Sequence, residues 1–429
     1  MKNFPAWHSS RRQMSRSEPG VRILIVSQYF WPEHFIINEF VRVLAEQGHE
    51  VVVATGKPNY PDGKVFDGYR AWGCQRELYL DQIEVLRVPL WPRGHGGAKN
   101  LLLNYLSFVV AGLFCLPWML RKREFDAVLV FAPSPITQTI PAILLKWLKK
   151  ARLLLWVQDL WPESLAATGF VKNPQLLRVV GWMVKAIYHH CDTLLVQSRA
   201  FIEPVACFAK REKIVYYPNS INAHAPTVAV RLPGQLVRLL ETHFCIVFAG
   251  NLGTAQALET LVQAAELLRD DPQIRVVLVG SGSRLGWLQS QKHARELDNL
   301  VLPGRFAGEA MPQIFERASA LLVSLNDEEA FNQTIPSKVQ AYLAAGRPII
   351  ASLNGEGARI VSEARAGLAS PAQKVLPLVA NIRCLKALGA AERMAMGRSG
   401  RAYFEANFEM NRQVHVLVDQ LMGKKTGRG

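Results

Sequence analysis

A short window at residues 334–350 combines the residue types that suit anion chemistry. Ser337 is a favourable N-cap for a helix, and Gly346 with the following Pro348 would end that helix. The first N–H groups of a helix lack intrahelical acceptors and carry partial positive charge, to which Lys338 would add a full charge. The window therefore predicts an anion site. The alternative is an ordinary strand–loop–helix–strand unit that binds nothing.

Two further strands in the same half of the chain run into turns that contain glycine. The turn residues are Gly250, Asn251 and Gly253 after the first strand, and Gly280 and Gly282 after the second. A strand, a glycine turn and a helix let backbone N–H groups approach a phosphate without interference from a Cβ atom. Three such turns within one half of a chain predict a nucleotide-type ligand.

Length and composition predict two globular domains. The chain has 429 residues, and single hydrophobic cores rarely grow beyond about 250–300 residues. With 49% hydrophobic and 20% charged residues, the composition is not that of a disordered chain. The six cysteines are scattered without a CxxC pair, so we expect reduced thiols in a cytosolic protein and no zinc cage.

Apolar strands alternate with helical patterns through both halves of the chain. They run from VRILIVS to KIVYYP in the first half and from FCIVFAG to RPIIAS in the second. Continuous apolar runs are typical of strands buried on both faces, as in parallel sheets covered by helices. We therefore predict an α/β fold of two facing, doubly wound parallel-sheet domains, with a ligand cleft at the carboxyl ends of both sheets.

The domain boundaries follow from where this pattern starts, weakens and stops. Residues 1–20 are polar and basic, which predicts a disordered tail without a secretory signal. We predict the N-terminal domain at 21–218, a connection at 219–243 where the pattern is lost, and the C-terminal domain at 244–405. Residues 406–429 are expected to form a helix that returns to the N-terminal domain, followed by a basic tail.

The charge balance is strongly basic. Lysine and arginine outnumber aspartate and glutamate by 50 to 35, which gives a formal net charge of +15. Nucleic acid, an anionic membrane or a polyanionic substrate could each explain this excess. The basic residues are spread thinly and no nucleic-acid-binding motif accompanies them, so nucleic acid is not an expected partner.

The segment 101–120 favours a membrane surface. It carries no charged residue and is followed at once by the basic run RKR. Its length is just sufficient to span a bilayer, which takes about 20 residues, but Asn104 and Pro117 interrupt it. A helix that is buried or lies at the interface is therefore favoured over a spanning helix. We predict a peripheral protein on the inner, cytoplasmic face of the cell membrane.

Several motifs occur in the order that is found in one enzyme family. They are QYFWPE, GHEVVVATGKPNYPDG, VQDLWPES, VQSRAF, YYPNSIN, AGNLGTAQALETLVQAA, VGSGS and IPSKVQAYLAAGRPIIAS. Together they make residues from about 21 to 408 resemble the bacterial family 4 glycosyltransferases of the GT-B fold. Within that family, the resemblance is to enzymes of surface-polysaccharide synthesis, which include the colanic-acid fucosyltransferase and the O-antigen N-acetyl-fucosamine transferases.

The resemblance implies an activity and its partners. A nucleotide-sugar donor would be held by the C-terminal domain, and its sugar would be transferred with retention of anomeric configuration. The resemblance implies no cofactor and no metal ion. The donor would be linked to UDP or GDP, and the relatives suggest a 6-deoxy or N-acetylated sugar. The acceptor would be a polyprenyl-diphosphate-linked saccharide, held mainly by the N-terminal domain.

The donor site departs from the family pattern in two places. Many members carry an arginine and a lysine five residues apart in the first glycine turn, where this chain has Asn251 and Gln256. Many also carry two glutamates eight residues apart, where this chain has Gln333 and Ala341. Because a diphosphate leaving group is negatively charged, other cations must offset the loss of the basic pair.

Other groups in the same region suit this task. Lys338 is the first candidate cation, and Arg305 in the segment LPGRF is the second. The backbone amides near both turns would assist them. The remaining candidate donor contacts are Gly250, Asn251, Gly253, Gly280, Gly282, Gln333, Thr334, Ile335 and Ser337.

The catalytic base on the acceptor side has two candidates. Glu33 follows the first strand in QYFWPE, and Asp159 follows a later strand in VQDLWPES. Loops at the carboxyl ends of parallel strands usually carry the chemistry of such folds. The alternatives are that Asp159 caps the next helix and that Glu33 forms a local salt bridge.

Other protein classes fit the sequence less well. A nicotinamide dehydrogenase needs GxGxxG directly after a strand, but the first strand here runs into SQYFWPEHF. A nucleotide-sugar 2-epimerase shares the two-domain architecture but does not need the apolar segment 101–120. A non-catalytic membrane scaffold would not need the glycine turns. His189, His190 and the acidic run 327–329 lack ligand spacing, so no metal site is predicted.

Overall fold

The computed structural model describes residues 20–94, 97–167, 169, 173–222 and 231–424. Three predicted segments fall wholly or partly outside these ranges. They are the N-terminal tail apart from Gly20, residues 223–230 of the connection, and the basic C-terminal residues 425–429.

Within the described ranges, the N-terminal domain is a sheet of eight strands covered by helices. The strands are β1 (Arg22–Val26), β2 (Glu50–Thr55), β3 (Gln75–Tyr79), β4 (Ile83–Arg87), β5 (Ala127–Ala132), β6 (Arg152–Val157), β7 (Thr193–Val196) and β8 (Ile214–Tyr216). The helices are α1 (Ile36–Glu46), α2 (Ala98–Met119), α3 (Thr139–Lys149), α4 (Glu163–Ala167), α5 (Pro174–His190) and α6 (Ile202–Ala206).

The strand order of this sheet is β3-β4-β2-β1-β5-β6-β7-β8. Neighbouring strands are parallel except β3 and β4, which are antiparallel. Leu24 of β1 is paired with Val52 of β2 on one side and with Val128 of β5 on the other. The chain moves outward in opposite directions from β1 and β5, so the crevice expected for a ligand lies between the loops that follow these two strands.

The C-terminal domain is a second sheet of the same kind. Its strands in the described ranges are β9 (Phe244–Asn251), β10 (Ile274–Ser281), β11 (Leu300–Gly304), β12 (Ala320–Ser324), β13 (Ile349–Ser352) and β14 (Gly367–Ser370). Its helices are α7 (Gly234–Thr242), α8 (Leu258–Leu267), α9 (Leu285–Ala294), α10 (Met311–Arg317), α11 (Glu329–Asn332), α12 (Ser337–Ala345), α13 (Gly355–Glu363), α14 (Val375–Ala387) and α15 (Ala390–Asn407). A further helix, α16 (Met410–Leu421), follows them in the chain.

All neighbouring strands of this second sheet are parallel, in the order β11-β10-β9-β12-β13-β14. Its topological switch point lies between β9 and β12. Apolar side chains pack on both faces of each sheet, as the continuous apolar strands require. The prediction of two doubly wound α/β domains is therefore confirmed.

Two helices lie where the sequence pattern is weak. Helix α7 falls inside the segment predicted as a connection, yet its Leu236 and Leu240 are buried in one apolar core with Cys245 of β9. Helix α16 packs on the N-terminal sheet, where Val414 shares a core with residues of α1 and β1. The Tyr217 hydroxyl donates a hydrogen bond to the carbonyl of Gln413, 2.7 Å away.

The carboxyl edges of the two sheets face each other. Ser198 follows β7, and Gln333 precedes α12. The Ser198 hydroxyl donates a hydrogen bond to the carbonyl oxygen of Gln333. The backbone N–H of Arg199 donates to Glu356 of α13, with an N–O distance of 3.1 Å. The loops that follow the strands of both domains therefore meet, and the predicted site residues lie on these loops.

Candidate active site

A pocket opens where β9, β10 and β11 end. Gly250 and Gly280 are register partners at the carboxyl ends of β9 and β10. The pocket has a volume of about 420 Å³ and is lined by Gly250, Asn251, Val279, Gly280, Ser281, Arg305, Phe306 and Met311. This volume falls within the range of small-molecule sites, roughly 300–1,000 Å³. Four of the predicted donor-site residues, including the second candidate cation, thus line one pocket.

Glycine is required at two positions of this pocket by close approach and by backbone conformation. A Cβ atom on Gly280 would lie 1.8 Å from the carbonyl oxygen of Gly250, and φ of Gly280 is +148°. At Gly250, φ is +140° and a Cβ atom would lie 2.7 Å from Cε of Lys338. The glycines therefore let two backbones and a lysine side chain meet at the pocket edge.

Lys338 lies at this edge because it is the second residue of α12. Its Nζ is 4.1 Å from the centroid of the Phe248 ring, and it donates a hydrogen bond to the side-chain oxygen of Gln256. Burial lowers the pKa of Lys338 to about 8. Gln256 is one of the two neutral residues at the family's basic positions, so the Lys338 ammonium group occupies the neighbourhood of the missing side-chain charge.

The start of α12 differs from the sequence prediction. Ser337 is the first residue of the helix and Pro336 is the N-cap, with no side-chain hydrogen bond at the cap. The prediction of Ser337 as N-cap is therefore wrong, since the fixed φ of Pro336 sets the extended conformation that precedes the helix. Gly346 is the predicted left-handed C-cap, with φ of 65°.

The other predicted donor contacts lie on the same two segments. Gln333 gives its carbonyl to the interdomain bond from Ser198, and its side-chain amide donates to Glu329 at 3.0 Å. The Thr334 hydroxyl donates to the carbonyl of Ala330 at 3.1 Å. Because the side chains of Gln333 and Thr334 and the carbonyl of Gln333 are engaged locally, any contact of Gln333, Thr334 and Ile335 with a donor diphosphate would come from their backbone N–H groups.

The first glycine turn is held by the side chain of Asn251. A Cβ atom on Gly253 would lie 2.7 Å from Nδ2 of Asn251, and one on Gly282 would lie 2.6 Å from its Oδ1. Both glycines therefore pack directly against the Asn251 amide. The structure brings Asn251, Gly253 and Gly282 together beside Gly250, as neighbours of the pocket.

Asp159 lies on the loop that follows β6. Burial is the main cause that raises its pKa, and hydrogen bonds from Ser164 and from Trp161 act in the opposite direction. Its Oδ2 is 3.3 Å from the indole nitrogen of Trp161. A half-buried carboxylate with a raised pKa suits a general base. The same contacts also stabilise the loop, so the catalytic role of Asp159 stays a prediction.

Glu33 has a structural environment. It is 2% exposed, and its carboxylate accepts hydrogen bonds from the backbone N–H groups of Phe30, Asn59 and Tyr60, at 3.2, 2.9 and 2.8 Å. These bonds tie the loop after β1 to the loop after β2. Both of its oxygens already bind backbone donors and water has almost no access to them, which favours a structural role. Burial raises the pKa of Glu33 as well, and its role as the base stays a prediction.

Replacing Glu33 by glutamine should lower the free energy of unfolding by about 1–3 kcal/mol, because the new amide group would face a backbone N–H donor. Urea denaturation of both proteins measures this loss. Glu46→Gln is the matched control, since Glu46 forms an exposed ion pair with Arg42 and should change stability by less than about 0.5 kcal/mol. A Glu33→Gln protein of unchanged stability that has lost activity would favour the role of Glu33 as the base.

A polar network between the domains was not predicted from the sequence. The side chains of Gln158 and Asn219 exchange two hydrogen bonds of 2.9 Å, and Asn219 also donates to Gln197 at 3.0 Å. Gln340 of α12 donates to the carbonyl of Asn219 at 2.6 Å. The network joins the residue before Asp159 to the helix that carries Lys338. The motif YYPNSIN, which contains Asn219, was the available signal.

The metal-ligating residue types are dispersed. Among the described residues, no group of three or more His, Cys, Asp or Glu side chains is arranged to hold a metal ion. His189 and His190 lie in the last turn of α5. Asp327 accepts a hydrogen bond from Asn332, which is the first cause of its lowered pKa.

Comparison with known proteins gives a consistent assignment. The family model described as "Glycosyl transferase 4-like domain" matches residues 35–220, and the model described as "Glycosyl transferases group 1" matches residues 243–387. The chain is 27% identical over 345 residues to the putative colanic acid biosynthesis glycosyl transferase WcaI of Escherichia coli (strain K12). That alignment covers 76% of this chain and 82% of the relative.

Solved structures with the same architecture cover nearly the whole chain. Anabaena HepE in complex with UDP is 13% identical, with a TM-score of 0.66 and coverage of 94% of this chain and all of that one. An E. coli trehalose-6-phosphate protein bound with UDP-2-fluoro glucose is 13% identical, with a TM-score of 0.67, and covers 94% and 99% of the two chains. At such identities the likeness shows the fold. One matched family segment lies in each domain, and the chain belongs to the family 4 glycosyltransferases of the GT-B fold.

Proposed function

We propose that this glycosyltransferase moves a sugar, with retention of anomeric configuration, from a UDP- or GDP-linked donor to a polyprenyl-diphosphate-linked saccharide. The product would serve the synthesis of a surface polysaccharide, as the name of the relative WcaI suggests. One observation carries the proposal. The Lys338 side chain contacts Gly250, which lines the 420 Å³ pocket at the edge of the C-terminal sheet.

The donor is proposed to bind with its nucleoside in this pocket and its diphosphate toward Lys338 and the first turn of α12. Helix N–H groups and a lysine are complementary to a diphosphate. Arg305 lines the same pocket and adds a second positive charge. The complexes of HepE with UDP and of the E. coli protein with UDP-2-fluoro glucose support a nucleotide-sugar donor.

In the proposed reaction, the bond between the anomeric carbon and the diphosphate oxygen breaks, and the diphosphate leaves with the electron pair. A bond to the acceptor hydroxyl oxygen forms on the same face of the sugar. Lys338 stabilises the charge of the departing diphosphate, and Asp159 accepts the hydroxyl proton. The positive charge comes from the protein, so the proposed mechanism uses no metal ion.

A panel of nucleotide sugars separates this function from its two rivals. A transferase releases nucleoside diphosphate faster when a polyprenyl-diphosphate saccharide is added. A nucleotide-sugar 2-epimerase converts the donor without any acceptor, and a membrane scaffold changes neither. Proton NMR of the product tests retention, since its anomeric configuration should equal that of the donor. An inverted product would contradict the proposed stereochemistry.

The acceptor lipid makes membrane attachment part of the proposal, and the N-terminal domain has a surface that suits it. Helices α2, α3 and α5 pack beside one another on one face of the sheet. Large apolar side chains project from their solvent side. This docking face consists of Leu102, Leu106, Val110, Phe114, Trp118, Trp147, Leu148, Leu176, Val179 and Trp182.

Helix α2 is long and apolar enough to cross a membrane by length and composition alone. Its packing favours an interfacial position instead. Asn104 is fully buried, accepts a hydrogen bond from Gln28 at 2.7 Å and donates one to the carbonyl of Trp91 at 2.6 Å. A Cβ atom on Gly112 would lie 2.9 Å from the ring of Pro141 in α3. Helix α2 thus belongs to the domain through one side and is exposed through the other.

The charges beside the docking face point to anionic phospholipid as its occupant. The guanidinium carbon of Arg121 lies 4.5 Å from the centroid of the Trp118 ring, and the exposed Lys122 follows directly. Arg123 comes next but is paired with Glu50 at 3.0 Å and with Glu84 at 2.8 Å. Tryptophan side chains concentrate at membrane interfaces, and each nearby lysine or arginine contributes about 1 kcal/mol on an anionic surface. The three exposed tryptophans of the docking face and the cations that follow Trp118 therefore both favour an anionic membrane surface.

The protein should sediment with anionic vesicles and be only partly released by high salt, because salt screens the cations but not apolar insertion. Phe114→Glu should release a further fraction, measured by sedimentation at fixed salt. Leu376→Glu is the matched control, since Leu376 is 72% exposed on the C-terminal domain and Phe114 is 76% exposed on α2. Complete release of the wild type by salt would contradict the proposed apolar insertion. No binding to anionic vesicles would contradict the whole membrane proposal.

A further inference from the structure

A cluster of aromatic side chains and one arginine lies at the carboxyl edge of the N-terminal sheet, apart from the donor pocket. Tyr29 follows β1, Tyr60 follows β2 and Arg93 follows β4. Tyr105 of α2 borders the same cluster. These loops follow β1 and the two strands next to it, so they border one side of the switch point between β1 and β5, where a doubly wound sheet usually binds its ligand. The proposed role of Asp159 as a base gives these four residues no function.

We propose that Arg93 binds the phosphate group that links the saccharide of the acceptor to its prenyl chain. The inference rests on the proposed function, because it assumes a lipid-linked acceptor. It assigns the acceptor's anion to a residue of the N-terminal domain, whereas the donor's diphosphate is assigned to Lys338 in the C-terminal domain.

The guanidinium group of Arg93 is held by aromatic rings. Its central carbon lies 5.2 Å from the centroid of the Tyr60 ring and 5.8 Å from that of Tyr29. Its Nη1 donates a hydrogen bond to the Tyr29 hydroxyl at 3.2 Å. Its backbone N–H donates to the side chain of Asn59, also at 3.2 Å. The arginine is therefore fixed by both its backbone and its side chain.

The guanidinium group of Arg93 also keeps unused hydrogen-bond donors. A guanidinium group has five N–H donors, and the hydrogen bond to Tyr29 uses one of them. No carboxylate of the described residues forms an ion pair with Arg93. Its neighbour Arg87, by contrast, is fully buried and paired with Glu77. A preorganised guanidinium group with free donors is suited to bidentate binding of a phosphate.

Tyr105 relates Arg93 to the base candidate Asp159. Burial raises the pKa of Tyr105, the charge of Arg93 lowers it and the charge of Asp159 raises it, so both charges act on this hydroxyl. The Tyr105 ring centroid is 6.5 Å from that of Trp161, which itself bonds to Asp159. Tyr105 is thus near the Trp161 partner of the base candidate, and the charges of Arg93 and Asp159 both reach it.

The same helix connects the cluster with the membrane. Tyr105 is adjacent in sequence to Leu106, a residue of the docking face. In this proposal the prenyl chain of an acceptor bound at Arg93 extends toward the docking face and the saccharide toward Asp159. Tyr60 is 40% exposed, so the cluster is open to solvent on one side.

Binding of geranyl diphosphate, a short prenyl diphosphate, tests the assignment by equilibrium dialysis with the full chain. The wild type should bind geranyl diphosphate more tightly than geraniol, which lacks the phosphates, and more tightly than inorganic pyrophosphate, which lacks the chain. Arg93→Gln should weaken geranyl diphosphate binding about 10- to 100-fold, the usual effect of losing hydrogen bonds to a charged group. The affinity of Arg93→Lys for geranyl diphosphate should lie between those of the wild type and Arg93→Gln. The affinity of each variant for UDP should stay within about twofold of the wild type.

Arg211→Gln is the matched control, because Arg211 is an exposed arginine of the same domain that lies outside both the aromatic cluster and the docking face. It should leave geranyl diphosphate affinity unchanged. Unchanged affinity in Arg93→Gln, or an equal loss of UDP affinity, would overturn the assignment. Pyrophosphate binding as tight as geranyl diphosphate would show a free-phosphate site and overturn its lipid part. Failure of the proposed function is distinguishable, because a wild type without transferase activity would still show the Arg93-dependent binding.

Discussion

Replacing Lys338 by alanine should slow sugar transfer by roughly 30- to 1,000-fold, equivalent to about 2–4 kcal/mol of transition-state stabilisation. The lysine lies beside Gly250 and over the Phe248 ring, and it donates a hydrogen bond to the neutral side chain of Gln256. The leaving diphosphate gains negative charge as the glycosidic bond breaks. A cation in a partly buried position interacts with that charge more strongly than one in water.

Steady-state kinetics with the donor measure this loss, and Lys374→Ala is the control because Lys374 is exposed on the same domain. A folded Lys338→Ala enzyme with turnover within about threefold of wild type would contradict the assigned role.

The pH dependence of donor affinity is a second check on Lys338. Burial lowers the pKa of Lys338 to about 8, so the unliganded protein loses this charge, and donor affinity, as pH rises through about 8. Lys338→Arg should remove that decline, because an arginine keeps its charge.

Replacing Asp159 by asparagine should slow transfer by about 10²- to 10⁴-fold, the usual effect of losing a general base. Asparagine has nearly the same shape and keeps an oxygen that can accept from the Trp161 indole, 3.3 Å away in the wild type. The loop should therefore fold normally while the proton acceptor is lost. Nucleotide affinity should be unchanged, because Asp159 belongs to the domain opposite the donor pocket.

Transfer rate and UDP affinity, measured separately, test this expectation. Glu163→Gln is the control, since Glu163 is an exposed carboxylate of the same DLWPE motif. Burial raises the pKa of Asp159, so wild-type activity should rise with pH as this carboxyl group loses its proton, and the asparagine variant should lack that limb. If UDP affinity collapsed while the transfer rate per bound donor survived, Asp159 would have a different role.

Most of the fold could be predicted because its central strands are apolar along their whole length. β5 is buried at every residue, as a strand covered by helices on both faces must be. The strands that the pattern missed are the edge strands β3 and β14. β3 alternates the exposed residues Arg76 and Leu78 with less exposed ones such as Glu77, and β14 is buried only at the last of its four residues. Edge strands lack one neighbour and do not need a continuous apolar run.

The candidate site was predictable in its turns but not in its contacts. Glycine turns after buried strands located the pocket, since only glycine permits the approach seen at Gly280. The bond between Lys338 and Gln256 joins residues 82 positions apart, and no local pattern encodes it. Glu33 ends the motif QYFWPE and Asp159 begins the motif DLWPE, and both motifs follow strands. Only tertiary burial distinguishes the carboxylate that ties two loops from the one that remains partly accessible.

The most direct test of the account is transfer of radiolabelled sugar from a nucleotide-sugar donor into the lipid phase of anionic vesicles that carry a polyprenyl-diphosphate saccharide. The account predicts that label enters the lipid in step with release of nucleoside diphosphate, and that Lys338→Ala and Asp159→Asn both reduce it strongly. Nucleoside diphosphate release without labelled lipid, or no release from any donor of the panel, would contradict the account.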